Sequence, residues 1–150
     1  MHIFVDADAC PVKDEVYKVA ARYGLTTTVV SNSFIAIPPS KLIARMIVDA
    51  GPDLADDWIA ERCEPGDIVV TNDIPLAERV LKAGGAAIAP NGRLFTPDSI
   101  GSALASRAIG EHMRSIGEVT GGPKPFASAD RSRFLQALDE AVNREKRKRR

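Results

Sequence analysis

Short apolar runs rich in β-branched residues alternate along the 150-residue chain with segments whose apolar residues recur at helical spacing. The predicted strands are residues 3–6, 25–30, 68–71 and 86–89. An Asn91-Gly92 turn is expected to lead from the last of these into residues 93–95. Alternating strand and helix patterns are typical of α/β proteins with a largely parallel sheet. We therefore expect a three-layer α/β/α fold, and the chain contains no internal repeat.

The predicted helices fill the intervals between these strands. They cover residues 11–23, 53–63 and 75–83, then residues 96 to about 116, and a last helix begins at residue 130. Gly24 is expected to end the first helix, because glycine tolerates the left-handed conformation at a helix C-terminus. Residues 41–50 are ambiguous, and we predict a short helix followed by a strand near residues 46–48. Residues 117–128 are predicted to be a flexible segment.

Charge is distributed unevenly along the chain. The last seven residues hold six of the 20 basic side chains and one of the 20 acidic ones, so the rest carries a net charge of about −5. We expect one domain over residues 1–143 and a basic tail over residues 144–150. Basic tails often bind nucleic acid, because binding to phosphates releases counterions. The same residues could equally be a frayed helix end that aids solubility.

Several features favour a cytoplasmic protein. The N-terminus lacks the basic region and cleavage site of a secretory signal, and no apolar run approaches the roughly 20 residues of a membrane span. The chain has two cysteines, Cys10 and Cys63. They are too few for a disulfide framework, and we interpret Cys10 as a small buried apolar residue.

Two of the predicted strands stop abruptly at acidic residues. Asp6 and Asp8 follow the first strand, and Asp73 follows residues 68–71. The functional crevice of an open α/β sheet lies outside the carboxyl ends of the strands, so these acids converge if the two strands are parallel neighbours. Crowded carboxylates repel one another unless a cation neutralises them, and oxygen ligands suit Mg²⁺ or Mn²⁺. The pattern predicts a metal-dependent enzyme acting on phosphate esters, although either early acid could instead cap the following helix.

A third acidic context opens the predicted helix over residues 53–63. Asp53 and Asp56 are three residues apart and share a helix face, whereas Asp57 is turned about 100° from Asp56. We expect Asp56 to face the site, with Asp53 close to it. Helix capping and interaction with the helix dipole explain any single acid here equally well.

Contacts to a substrate are harder to assign from the sequence. Thr71 could donate its hydroxyl proton to a phosphate, or it could satisfy a turn. Lys13 and Arg45 are candidate phosphate ligands, although no spacing singles them out.

Five strings together resemble the YaiI/YqxD family of small bacterial proteins. They are D-A-D-A-C-P at 6–11, P-P-S at 38–40, D-L-A-D-D-W-I at 53–59, G-D-I-V-V-T-N-D-I-P-L-A at 66–77 and T-G-G-P at 120–123. That family has no established activity. It is grouped with PIN-like domains, most of which are Mg²⁺- or Mn²⁺-dependent nucleases.

The resemblance implies a PIN-like fold and metal-assisted hydrolysis of phosphodiester bonds, with RNA as the expected substrate. It implies that Asp6, Asp56 and Asp73 are the catalytic acids. PIN nucleases usually carry a further acid on an early helix, a position that Asp14 or Glu15 could fill. The residues that would hold the metal are Asp6, Asp8, Asp53, Asp56 and Asp73.

Two alternatives stay open. A non-catalytic nucleic-acid-binding or adaptor protein could keep this fold and bind through its basic tail. A phosphatase of the haloacid dehalogenase class also opens with an apolar strand and D-x-D, in which the first acid is a nucleophile. That chemistry needs its later acids after a strand, whereas Asp67 precedes residues 68–71, and we interpret Asp67 as structural.

Overall fold

Five parallel strands form one sheet in the computed structural model, which describes residues 1–8, 10–51, 53–101 and 128–148. The strands are β1 (His2–Asp6), β2 (Thr26–Ser31), β3 (Ile43–Ile47), β4 (Ile68–Val70) and β5 (Ala86–Ile88). Their order across the sheet is β3-β2-β1-β4-β5, and every neighbouring pair is parallel. The chain starts in the middle, builds out to β3 and then crosses to the other side of β1. This reversal creates a crevice between the carboxyl ends of β1 and β4.

Helices cover both faces of this sheet. They are α1 (Lys13–Tyr23), α2 (Leu54–Arg62), α3 (Ile74–Lys82) and α4 (Ser128–Lys148), and residues 97–101 are also helical. Buried residues of α1 and α4 pack with Ile3 and Val5 on one face. Those of α2 and α3 pack with Phe4 and Val69 on the other. The predicted three-layer α/β/α architecture with a largely parallel sheet is confirmed.

Burial on both faces explains the composition of the central strands. Ile68, Val69 and Val70 of β4 are fully buried, and in β1 successive side chains enter the two opposite cores. A strand buried on both faces reads as a continuous apolar run rather than an alternating one. Each large side chain buried in this way contributes about 1.5–3 kcal/mol to folding.

Local signals set the helix ends. Gly24 ends α1 with a φ of 65°, and its N–H donates to the Ala20 carbonyl. This left-handed conformation suits glycine because it lacks a Cβ atom. Asp73 is the N-cap of α3 and accepts a hydrogen bond from the Leu76 N–H at 2.9 Å, with Pro75 in the first turn. A cap of this kind stabilises a helix by about 1 kcal/mol and places the start of α3 directly after β4.

The structure of residues 41–50 differs from the prediction. These residues contain no helix, because residues 43–47 form the whole of β3, in register with β2 from Thr27–Ile43 to Ser31–Ile47. A short apolar run fits helical and strand periodicity about equally well. Pairing with β2 decides between them. The predicted hairpin turn at Asn91-Gly92 is confirmed by an antiparallel bridge between Ile88 and Leu94.

Helix α4 extends further than predicted at both ends. It runs from Ser128 to Lys148, so the expected boundary between residues 143 and 144 falls inside the helix. Glu145 is buried and pairs with Lys148 at 3.2 Å, which ties the first part of the basic stretch to the fold. The predicted helix beyond residue 101 and the predicted flexible segment up to residue 127 lie outside the described residues. No described helix has the length and hydropathy that a membrane crossing requires.

Helix α4 runs alongside α1 in the same direction. Arg131 near its start donates to the Pro11 carbonyl, just before α1. Near its end, Asn143 donates to the Tyr23 hydroxyl at the last residue of α1. Since α1 carries the chain from the end of β1 back to the start of β2, the basic end of α4 lies beside the amino ends of the strands. The crevice lies at their carboxyl ends.

Candidate active site

The site is built where β1 and β4 end side by side. Parallel pairing of Val5 with Val70 brings the next residues, Asp6 and Thr71, to the same level. The Thr71 hydroxyl donates to Asp6 Oδ2 at 2.9 Å, and Thr71 itself is almost fully buried. A hydroxyl carries a single proton, so Thr71 has none left for a phosphate. The prediction that Thr71 contacts the substrate is therefore corrected: this hydroxyl orients Asp6.

The same hydroxyl also fixes the position of Asp73. The Asp73 N–H donates to Thr71 Oγ1 at 2.9 Å, and Asp73 Oδ1 accepts the Leu76 N–H. One oxygen of this carboxylate is thus used to cap α3. Asp73 has a structural role as well as a place beside Asp6.

Asp56 lies in the first turn of α2 and joins this group from the opposite side of the crevice. Its side chain is hydrogen-bonded to that of Asp73. Two carboxyl groups bond in this way only when one of them holds a proton. Burial, then the charge of Asp73 and the hydrogen bond to it, and then the charges of Asp6 and Asp53, raise the pKa of Asp56 to about 7.

Asp6 is also destabilised in its charged form. Burial raises the pKa of Asp6, the hydrogen bond from Thr71 lowers it, and the charges of Asp73 and Asp8 raise it further, with a net upward shift. None of the ion pairs in the described part of the chain involves Asp6, Asp56 or Asp73. The structure therefore brings these three acids together with no basic side chain paired to them.

The acids open onto a cleft of about 280 Å³. Asp8 lies at its exposed rim, where Asp8 Oδ2 accepts the Asn32 N–H at 3.1 Å and so ties the loop after β2 to the site. Burial raises the pKa of the Cys10 thiol, which agrees with the small apolar role predicted for it. The cleft is lined by Asp6, Asp8, Cys10, Asn72, Asp73 and Pro90. Asn72 and Pro90 had no sequence signal, since only the packing of chain segments brings them here.

The neighbours of Asp56 in the sequence play different parts. Asp53 precedes α2 with a φ of 66°, uncommon for a residue other than glycine, and its side chain makes no capping bond. It is exposed, and its charge contributes to the raised pKa of Asp56. Asp57 points elsewhere and pairs with Arg79 at 2.6 Å on the surface. The sequence-based choice of Asp56 over Asp57 agrees with this geometry.

The predicted basic ligands and the early-helix acids lie mostly outside the cleft. Lys13 donates to the Cys10 carbonyl at 2.8 Å, so it borders the site. Arg45 is corrected: it lies on the edge strand β3 and donates to the Ile35 carbonyl instead of facing the cleft. Glu15 pairs with Arg131 at 3.6 Å. Neither Asp14 nor Glu15 lines the cleft.

The donor set fits a hard divalent cation with most of its water shell. Within the described ranges, no group of three or more His, Cys, Asp or Glu side chains is arranged to hold an ion by itself. Mg²⁺ commonly binds through one or two carboxylates and keeps several waters, so it does not need such a cage. The proton between Asp56 and Asp73 marks a position where positive charge is favoured. Asp6, Asp56 and Asp73 are the residues that would hold a cation, with Asp8 at the rim.

An acidic cleft at the switch point of an all-parallel sheet defines the chain as an α/β protein with its functional site at the carboxyl ends of the strands. The model of the uncharacterised YaiI/YqxD family matches residues 4–144, and the chain belongs to that family. The UPF0178 protein of Caulobacter vibrioides strain NA1000 / CB15N is 73% identical over 97% of this chain and 95% of its own length. A UPF0178 protein of Rhodopseudomonas palustris is 60% identical over 98% of this chain and 93% of its own. No solved structure matches the chain significantly.

Proposed function

We propose that this protein is a divalent-metal-dependent hydrolase of phosphodiester bonds, with RNA as its substrate. The observation that carries the proposal is the crowding of Asp6, Asp56 and Asp73, which raises the pKa of Asp56 to about 7. A fold gains no stability from carboxylates placed so that their charges repel. Strongly perturbed acids in a cleft are therefore candidates for function rather than for structure.

Each residue of the cluster has a role in this proposal. When bound, a divalent cation supplies a water of lowered pKa and positive charge for the phosphate oxygens. Thr71 holds Asp6 in place, and the cap to Leu76 holds Asp73. Asp56 gives up its proton near neutral pH, which creates the charge that attracts the cation. Lys13, at the border of the cleft, is the basic residue placed to meet a substrate phosphate.

The position of the basic stretch limits what it does for catalysis. It lies beside the amino ends of the strands, whereas the cleft is at the carboxyl ends, and α4 with its 21 residues is about 30 Å long. We therefore assign the stretch to nucleic-acid affinity and not to the reaction. This separation also favours the second candidate function, a non-catalytic nucleic-acid-binding or adaptor protein, in which basic residues bind without chemistry in the cleft.

Cleavage assays with single-stranded RNA and DNA in Mn²⁺ and Mg²⁺ separate the two functions. We expect cleavage by the wild type and a loss of roughly 100-fold or more in Asp6→Asn and Asp73→Asn. Asparagine keeps the shape of each side chain, and it also caps helices well, so circular dichroism should be unchanged. Asp57→Asn is the matched control, because it removes an acid of the same helix that points away from the cleft. Nucleic-acid binding without cleavage of any substrate would favour the adaptor.

A further inference from the structure

The two edges of the sheet differ in how they are protected. Beyond β5, the chain turns back and covers the edge: Ala89 N–H donates to the Arg93 carbonyl at 2.8 Å and Phe95 N–H donates to the Ala87 carbonyl at 2.9 Å. No segment among the described residues pairs with the outer edge of β3. Open edges attract other strands, and natural proteins usually block them with proline, bulges or inward-pointing charges. Residues 43–47 contain neither proline nor a bulge.

The backbone of β3 has hydrogen-bonding groups free on that side. Thr27 N–H donates to the Leu42 carbonyl, and Val48 N–H donates to the Ser31 carbonyl, both at 2.8 Å. Backbone groups of successive strand residues point to opposite sides. Those of Arg45 and Ile47 therefore point away from β2, towards solvent.

The side chains of β3 are exposed as well. Parallel sheets are normally covered on both faces. Here Met46 is 37% exposed on one face and Ile47 is 47% exposed on the other. An open edge with apolar side chains on both faces has the character of a contact surface.

The sequence around β3 is complementary to itself in the antiparallel direction. With a twofold axis at Arg45, Ile43 lies opposite Ile47 of a second copy, and Lys41 lies opposite Asp49. Lys41 and Asp49 are exposed, and neither forms an ion pair with another described residue. A shift of one residue would place Lys41 opposite Ala50 or Val48 and lose both charge pairs.

We infer that β3 is the contact between two copies of this chain, which pair antiparallel through Arg45 and join their sheets into one. The two Arg45 side chains oppose each other at the axis, which weakens the pairing. Each guanidinium is held on its own chain, however, 4.3 Å from the centre of the Phe34 ring and bonded to the Ile35 carbonyl. The inference does not depend on the proposed catalytic function.

Sedimentation equilibrium of the full-length protein tests this inference by charge reversal. We expect a dimer that Lys41→Asp or Asp49→Lys weakens about tenfold, because two attractive pairs become repulsive. The double variant Lys41→Asp/Asp49→Lys should restore the dimer, since the pairs are attractive again with the charges exchanged. Lys18→Asp is the control for net charge, because Lys18 is exposed on α1. Arg45→Gln should strengthen the dimer.

Hydrogen exchange gives a second readout that locates the contact. The amides of Arg45 and Ile47 should exchange more slowly as protein concentration rises, whereas that of Met46, which faces β2, should be protected throughout. A wild type that stays monomeric at all concentrations would overturn the inference. So would a dimer that Asp49→Lys leaves intact, or a double variant that does not recover.

Discussion

Replacing Asp56 by asparagine should make the protein more stable at pH 8, although it removes a residue of the proposed site. The reason is that burial, the charge and hydrogen bond of Asp73 and the charges of Asp6 and Asp53 raise the pKa of Asp56 to about 7. Above that pH the folded protein holds an ionised carboxylate among other carboxylates. Asparagine is neutral and can still donate a hydrogen bond to Asp73.

The sign and size follow from proton linkage. Between about pH 4 and pH 7 the folded state binds more protons at Asp56 than the unfolded state, so this group lowers the stability as the pH rises through that window. The shift from 3.8 to about 7 would correspond to about 4 kcal/mol without screening. Asp56 is only partly buried, and solvent screening reduces the expected gain of the variant to about 1–2 kcal/mol. A gain of that size raises Tm by about 2–8 °C.

Urea unfolding at pH 4.5 and pH 8, without divalent metal, measures this effect. The stability difference between Asp56→Asn and the wild type should be about 1–2 kcal/mol at pH 8 and should shrink at pH 4.5. The control Asp57→Asn loses its surface ion pair with Arg79, so we expect at most about 1 kcal/mol of destabilisation, with the same sign at both pH values. If Asp56→Asn is less stable than the wild type at pH 8, or gains equally at both pH values, the charge-crowding argument is wrong. Added Mg²⁺ should stabilise the wild type more than the variant, because a cation relieves the same repulsion.

Three further predictions follow from other parts of the structure. Thr71→Val should reduce cleavage and shift its pH dependence to higher pH, because the hydrogen bond that lowers the pKa of Asp6 is lost, whereas Thr71→Ser should keep both near the wild type. Neutralising the basic end should flatten the salt dependence of RNA binding by about 0.9 in slope per lost phosphate contact, but leave cleavage of short oligonucleotides unchanged; equal losses on short and long substrates would contradict this placement. Substitution by glutamine suits that experiment better than deletion because Glu145 is buried, and the residues to change are Arg144, Arg147, Arg149 and Arg150. Phe134→Ala should destabilise the protein by about 3–5 kcal/mol, because Phe134 is fully buried between α4 and the sheet, while residual activity per folded molecule stays constant.

The sequence by itself determined the order of elements and the location of most acids. The predicted strands over residues 3–6, 25–30, 68–71 and 86–89 are all present within about one residue at each end. Their signal is strong because strands buried on both faces need unbroken apolar runs, and because acids are rare at the ends of such runs. Asp67 also behaves as predicted: it is buried and accepts the N–H groups of His2 and Glu64.

Only the tertiary structure decided which side chains meet. Periodicity fixes the direction of a side chain around its own strand or helix, but not the distance to a residue 50 positions away. The bond between Asp56 and Asp73, the use of the Thr71 proton by Asp6, and the position of Arg45 on an open edge all depend on how elements pack. The same holds for α4, whose pairing with α1 carries the basic end away from the cleft. Packing over long stretches of chain, and not local pattern, assembled the site.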